Sequence, residues 1–171
     1  SIMNSYCRAF KIVVFTTGDL PAETTLQNTL HFVKVNESNY VDKINQVAEQ
    51  TDCDWLVLAE AGDELTPSGL YQASLELLGD KQIRAVAMDE FQRQENGTLA
   101  GVFRPGFNLD LLQSYPGVMA RHWLIRREVM VQAGGYAREF KKALDFDLLL
   151  RLIEQGGLDG FAHLAEPLLI C

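Results

Sequence analysis

The chain has 171 residues and a formal net charge of −8 at pH 7, with 15 lysines and arginines against 23 aspartates and glutamates. That length suits one domain with a substantial core, and the composition, 47% hydrophobic and 22% charged, excludes disordered chains, collagen-like chains and small disulfide scaffolds. The acidic balance argues against nucleic-acid binding, because no basic excess is present to displace counterions.

The cysteines give no sign of a structural zinc site. Cys7, Cys53 and Cys171 lie far apart in the sequence, so we expect free thiols in a cytoplasmic protein. The apolar runs are too short to span a bilayer, and no signal-peptide pattern opens the chain. The chain begins at Ser1, without an initiator Met, and we expect it to be a piece of a longer protein.

In the first half of the chain, short apolar runs alternate with helical patterns. Residues 11–15 form a strand that enters the loop Thr16-Thr17-Gly18, and residues 54–58 are the clearest buried strand. Thr66-Pro67 supplies a helix N-cap and a first-turn proline. Further elements are predicted as a strand at 30–35 and a helix at 39–50.

The second half continues the alternation. Asn96-Gly97 is a strong hairpin signal between predicted strands at 83–88 and 98–103. Residues 104–116 are predicted to be loop-rich, with one short helix. The later elements are predicted as strands at 118–125 and 167–170 and helices at 126–133 and 145–155. This order predicts an α/β domain with a mostly parallel sheet flanked by helices.

Ligands of open α/β sheets gather at the carboxyl ends of the strands, and Glu60 and Asp63 directly follow the strand at 54–58. Carboxylates crowded at a strand end are what a hard divalent cation needs. The same residues also fit an acidic turn that only precedes the helix at Thr66. Spacing alone leaves both interpretations open.

A second acidic group opens the helix at 145–155. Asp145 is either an N-cap, favoured by the helix dipole, or a general base that points into a cleft. Asp147 and Arg151 are four residues apart, which fits an ion pair on the helix surface.

The remaining polar candidates are weaker. Asp89 and Glu90 follow the strand at 83–88, where a solvated loop is the simpler interpretation. Three histidines have no partner at metal-ligand spacing, so we expect structural or surface roles for them; they are His31, His122 and His163.

Several motifs together resemble the family 2 glycosyltransferases of the GT-A fold. A strand, an acidic turn and a helix are followed by the Gly-Gly-Tyr turn at 134–136 and by Asp-x-Asp-Leu-x-Leu-Arg at 145–151. In many members a Gly-Gly-Phe/Tyr turn precedes a helix that begins in the same way. The resemblance runs from about Phe10 to Cys171 and is strongest beyond Phe103.

This resemblance implies a hexosyltransferase type of reaction, in which a sugar passes from a nucleotide-diphospho-sugar to a hydroxyl of a glycan or lipid-linked acceptor, with inversion. Asp145 corresponds to the general base, and Mg²⁺ or Mn²⁺ would be held by Asp63 with Glu60. Residues 1–171 would form one domain, with the donor and metal side in 1–102 and the acceptor and base side in 103–171. The family's donor-binding and supporting positions correspond to Thr16, Thr17 and Gly18 and to Asp89, Glu90, Asp147 and Arg151.

The sequence also departs from the family's pattern. Gly62 stands where the usual Asp-x-Asp-Asp motif has an aspartate, and a glycine has no side chain to bind a metal. Thr16 and Thr17 replace the usual Asp pair, and on this register we expect the family's first strand and helix to be missing from this chain. The alternative is therefore an inactive glycosyltransferase-like module that binds ligands or serves other domains of a parent protein.

Overall fold

Strands and helices alternate throughout residues 9–22, 28–77 and 79–171, which the computed structural model describes. Cys7 lies outside the described residues. The strands are β1 (Ile12–Thr16), β2 (Leu30–Lys34), β3 (Trp55–Leu56), β4 (Glu64–Leu65), β5 (Ala85–Arg93), β6 (Leu99–Val102), β7 (Leu124–Arg126) and β8 (Phe161–Ile170). The helices are α1 (Tyr40–Gln50), α2 (Gly69–Glu76), α3 (Leu109–Ser114), α4 (Pro116–Met119), α5 (Arg127–Gln132) and α6 (Leu144–Gly156).

The strands form two sheets. The larger has the order β3-β7-β5-β8-β4, with β6 also paired to β5, and the smaller contains β1 and β2. Among the described residues, β5 pairs with β8 and β1 with β2 in parallel, whereas the other pairs are antiparallel. The sheet is therefore mixed rather than mostly parallel. A strand that pairs in parallel with an earlier strand needs a connection that returns to the start of that earlier strand. The segment between β6 and β7 makes no such return, so β7 pairs antiparallel with β5.

Strand β5 holds the two hydrophobic cores together, because its side chains alternate between its two faces. Ala85 and Ala87 belong to the core that contains the buried leucines of α6. Val86 and Met88 belong to the second core, with Ala73 of α2. These four β5 side chains are at most 3% exposed, so one strand contributes to the interior on both sides.

The predicted hairpin joins β5 to β6. Gly97 has a φ of +82°, which favours glycine, and Asn96 Oδ1 accepts a hydrogen bond of 3.0 Å from the Thr98 N–H. Strand β5 extends to Arg93, five residues beyond the predicted end. Asp89 and Glu90 consequently lie inside a strand rather than in the loop that follows it.

The stretch predicted as a strand at 118–125 is divided. Pro116 begins the short helix α4, and only residues 124–126 form β7. The indole N–H of Trp123 donates to the carbonyl of Met119 at 2.7 Å, which fixes the intervening bend. In the described parts of the chain, each helix is too short or too polar to cross a bilayer.

Candidate functional site

Four buried side chains form a continuous series of polar contacts around Glu90 of β5, which include one ion pair. Glu90 Oε2 lies 3.0 Å from Arg104 Nη2 and 2.9 Å from His122 Nδ1. The other ring nitrogen, His122 Nε2, lies 3.0 Å from Asp63 Oδ2. None of the four side chains is more than 7% exposed. We call Arg104, Glu90, His122 and Asp63 the buried charged chain.

Asp89 supports the same arrangement from the neighbouring position of β5. Its Oδ1 accepts a 2.9 Å hydrogen bond from the backbone N–H of Arg104 and lies 3.0 Å from His163 Nε2. The pairing of β5 with β8 is irregular on either side of Asp89, and such bulges re-aim side chains. Asp89 and Glu90 are both 2% exposed, so the expectation of a solvated loop was wrong.

The buried charged chain keeps Glu90 ionised. Burial alone would raise the pKa of Glu90, but the hydrogen bond from His122 and the charge of Arg104 outweigh it, and the pKa is lowered. Burial also lowers the pKa of Arg104, against the opposing effect of Glu90. Because each charge has a partner, the cluster avoids the large cost of an isolated buried ion.

His122 is the central residue of the site, and it was missed in the sequence. Its φ of +55° lies in the left-handed region, which is uncommon for a residue other than glycine. Backbone strain of this kind concentrates at functional sites. The sequence carries no local signal for this role, because the partners of His122 come from distant segments.

Three potential metal donors converge at one end of the buried charged chain. Ligand atoms of Asp63, His122 and Cys171 all lie within 4.8 Å of one another. Antiparallel pairing of β4 with β8, with Glu64 opposite Ile170, brings their flanking residues Asp63 and Cys171 together. Of these three, the Asp63 carboxylate is the donor that suits the Mg²⁺ or Mn²⁺ implied by the resemblance, because a thiol suits softer metals and both ring nitrogens of His122 already face carboxylates. Burial, with the charges of Glu90 and Asp63, raises the pKa of the Cys171 thiol to about 12.

The two carboxylates of the acidic turn after β3, those of Glu60 and Asp63, point in different directions. Asp63 Oδ2 accepts a 2.8 Å hydrogen bond from the backbone N–H of Glu60, and Gly62 has a φ of +111° in this turn. The Glu60 side chain is 79% exposed, with Arg121 Nη2 at 4.0 Å. The structure therefore brings Asp63 into the site but leaves Glu60 on the surface.

Asp145 lies near the start of α6 but does not cap it. The helix begins at Leu144 with Ala143 at the N-cap position, and Asp145 Oδ1 accepts a 2.6 Å hydrogen bond from the Tyr136 hydroxyl. Burial raises the pKa of Asp145 to about 6, although Tyr136 and the charge and backbone N–H of His122 oppose the increase. Asp145 therefore adjoins the buried charged chain at His122, with a pKa suited to proton transfer near neutral pH.

Arg151 links α6 to the turn that precedes Tyr136. Its guanidinium donates to the carbonyls of Ala133 and Gly135, both at 2.7 Å. It also pairs with Asp147 Oδ2 at 2.8 Å, as the spacing of four residues predicts. Both residues therefore hold the helix in place and do not point into the buried charged chain.

The loop Thr16-Thr17-Gly18 stands elsewhere, at the carboxyl end of β1 in the smaller sheet. The Thr16 hydroxyl oxygen accepts a 3.1 Å hydrogen bond from the Gly18 N–H, which closes the turn. Thr17 and Gly18 are exposed. These residues are free to meet a ligand, but they belong to a different sheet from Asp63 and Asp145.

Comparison with known proteins gives one sequence relative and several structural ones. No protein-family model matches the sequence. The O-antigen biosynthesis protein RfbC of Myxococcus xanthus is 34% identical over 117 residues. TarS 1–349 of S. aureus has a TM-score of 0.71 at 12% identity, and the mannosyltransferase PcManGT of Pyrobaculum calidifontis, in complex with GDP-Man and Mn²⁺, has 0.63 at 16%.

The matches differ in how much of each protein they include. Both structural matches cover 99% of this chain, but 54% of the TarS chain and 50% of the mannosyltransferase chain. The match to RfbC covers 67% of this chain and 9% of that protein. The chain thus spans about half the length of the solved chains and a small part of the curated relative.

Proposed function

We propose that this chain, which has the fold of the GT-A glycosyltransferases, transfers a sugar from a nucleotide-diphospho-sugar to an acceptor hydroxyl. The observation that carries the proposal is that Asp63 and Asp145 both interact with His122, Asp63 at the imidazole and Asp145 at the backbone N–H. TarS has been solved with UDP-GlcNAc, and PcManGT with GDP-Man and Mn²⁺. RfbC is an O-antigen biosynthesis protein, which favours a glycan or lipid-linked acceptor in polysaccharide synthesis.

In the proposed reaction, Asp145 is the general base. Its carboxylate takes the proton of the acceptor hydroxyl while that oxygen forms a bond to the anomeric carbon. The bond from this carbon to the diphosphate breaks on the opposite face, so the configuration inverts. A carboxyl group with a pKa of about 6 accepts a proton more readily than an exposed aspartate does.

Mn²⁺ or Mg²⁺ would be held by Asp63, the carboxylate of the donor set that also contains His122 and Cys171. When bound, a divalent cation neutralises the charge that develops on the departing diphosphate. Glu60 is left out of this set because its side chain faces solvent. Arg104 and Glu90 would keep the imidazole of His122 in place beside Asp63.

The other assignments from the sequence belong to the same proposal. Thr16, Thr17 and Gly18 would contact the nucleotide from the donor side, which comprises residues 1–102. The acceptor side would comprise residues 103–171, where Arg151 fixes α6. We place the reaction in the cytoplasm, with the described thiols Cys53 and Cys171 free.

A second candidate is an inactive glycosyltransferase-like module that binds a donor or supports other domains. Both ring nitrogens of His122 already lie against carboxylates, 2.9 Å from Glu90 and 3.0 Å from Asp63. An imidazole held in this way already contacts the Asp63 carboxylate without any metal. Gly62, which lacks a ligating side chain, favours the same alternative.

Calorimetry and turnover together distinguish the two candidates. The chain would be titrated with UDP-GlcNAc and GDP-Man, each with and without Mn²⁺. An enzyme binds one of them in a metal-dependent manner, loses that binding in Asp63→Asn and keeps it in the matched control Glu60→Gln. Release of UDP or GDP, with water accepting the sugar, should stop in Asp145→Asn while donor binding persists. Binding without turnover identifies the inactive module, and no binding to either donor contradicts the proposal.

A further inference from the structure

The side-chain hydroxyl of Tyr136 donates a hydrogen bond to the carboxylate of Asp145. Tyr136 is only 6% exposed, and its hydroxyl lies 2.6 Å from Asp145 Oδ1. A phenylalanine would fill nearly the same volume without introducing a buried polar group. Buried hydroxyls carry a desolvation cost that only a hydrogen bond offsets, so the contact with Asp145 is what justifies tyrosine at this position.

The backbone around Tyr136 is fixed from two directions. Asn45 of α1 accepts a 2.8 Å hydrogen bond from the Tyr136 N–H and donates one of 2.9 Å to its carbonyl. Arg151 of α6 donates to the carbonyl of Gly135 at 2.7 Å. The backbone of Tyr136 is therefore held on both sides and its side chain is buried. The hydroxyl accordingly reaches the carboxylate of Asp145 in one orientation.

We propose that Tyr136 is a positioning residue that holds Oδ1 of Asp145 and thereby leaves Oδ2 to receive the proton of the acceptor hydroxyl. This inference rests on the proposed function. The hydroxyl donates to Oδ1 before the transfer, and it still does so when Oδ2 carries the proton, because Oδ1 is then a carbonyl oxygen. The carboxyl group is therefore kept in one orientation throughout the step.

The surroundings of Asp145 support this assignment. The ionisable groups that act on it are Tyr136, from the turn after α5, and His122, from the segment before β7. Burial, together with the negative charge of Asp145, holds the pKa of Tyr136 well above its ordinary value. The phenol therefore remains protonated, and a hydrogen-bond donor, at neutral pH.

Tyr136→Phe in the 171-residue chain tests the role. Without the hydroxyl, the ionised form of Asp145 loses a stabilising hydrogen bond, so its pKa should rise. The pKa would be followed by ¹³C NMR of labelled aspartate carboxyls, with the Asp145 signal assigned by its absence in Asp145→Asn. The rate of UDP or GDP release should fall about tenfold, the usual scale for one hydrogen bond to a charged group. Donor affinity measured by calorimetry should not change.

Tyr40→Phe is the matched control, because the Tyr40 hydroxyl also makes one hydrogen bond, of 2.8 Å, but to the carbonyl of Lys141. It should leave the pKa of Asp145 and the pH–rate profile unchanged. Asn45→Ala frees the backbone of Tyr136 and should shift the same pKa in the direction of Tyr136→Phe. An unchanged Asp145 pKa in a folded Tyr136→Phe protein that still turns over donor overturns the role of Tyr136 alone. No donor binding or turnover by the wild-type chain instead overturns the proposed function.

Discussion

At the residue scale, the folded protein disfavours the charged form of Asp145. Burial raises its pKa from 3.8 to about 6, so the folded state holds this proton more tightly than the unfolded state does. Below about pH 3 the group is largely neutral in both states and costs almost nothing. Above pH 6 it is ionised in both, and the full cost of charging a buried carboxyl opposes folding.

Asp145→Asn should therefore stabilise the protein at neutral pH. The shift of about two pKa units corresponds to up to about 3 kcal/mol in the free energy of unfolding. The gain should appear at pH 7.5 and be almost absent at pH 3, because asparagine does not ionise and its carbonyl still accepts from Tyr136. Urea unfolding at the two pH values measures it.

Asp147→Asn provides the control for that prediction. Asp147 is paired with Arg151 at 2.8 Å, so its removal should lower the free energy of unfolding or leave it unchanged at pH 7.5. A gain in both variants, or in neither, would contradict burial as the origin of the raised pKa of Asp145.

The sequence predicted part of this site and missed its centre. Local patterns mark Asp145 and Asp63 as candidates: one opens an amphipathic helix and the other ends an acidic turn after a strand. His122 carries no such pattern, since Asp63 and Glu90 approach it from other segments of the chain. Asp89 and Glu90 were assigned to a loop because the apolar residues of β5 stop at Met88, just before the irregular pairing with β8. The two polar side chains that follow are buried, which the sequence pattern does not indicate.

At the element scale, the turn between α5 and the start of α6 depends on two glycines with different constraints. Gly134 has a φ of +86° and open space where a side chain would begin. Gly135 has a φ of +72°, and a Cβ there would lie 2.5 Å from the side-chain oxygen of Asn45. The first glycine is needed for its backbone conformation, and the second also for the close approach of Asn45.

Ala substitutions should separate these two effects. Gly134→Ala should lower the free energy of unfolding by about 1 kcal/mol, the cost of the left-handed conformation alone. Gly135→Ala should cost a further 1 to 3 kcal/mol, roughly the scale of overpacking, because Asn45 must move. Equal losses in chemical denaturation would show that Asn45 yields without cost and that its contact with Gly135 is not tight.

The bounds of the helices and strands show which parts of the fold the sequence patterns predicted. The α/β class and the GT-A-like fold are confirmed, and α6 occupies residues 144–156 where the apolar spacing predicted 145–155. The clearest predicted strand, 54–58, is reduced to the two residues of β3. Apolar spacing reports which residues are buried, whereas strand length and direction depend on partners that are distant in sequence.

At the scale of the whole molecule, the two cores share β5, so we expect them to unfold together. Trp123 is 1% exposed in the core that contains α6, and Trp55 packs against the other core. In Trp55→Phe and Trp123→Phe, the fluorescence of the remaining tryptophan should report the same urea midpoint as far-ultraviolet circular dichroism. Coincident transitions are the usual sign of two-state unfolding. A midpoint for Trp55 that comes before the loss of helix would mean that the second core opens alone.

The position of β8 also determines when the fold can be completed during synthesis. It comes last of the described strands in the chain, yet it lies between β5 and β4. While the nascent chain ends before residue 161, β5 has an uncovered edge and Cys171 is not there to meet Asp63. Such an edge invites pairing with other chains, and contacts that wait for distant segments form slowly. We expect nascent chains of this protein to need shielding by chaperones until β8 has inserted.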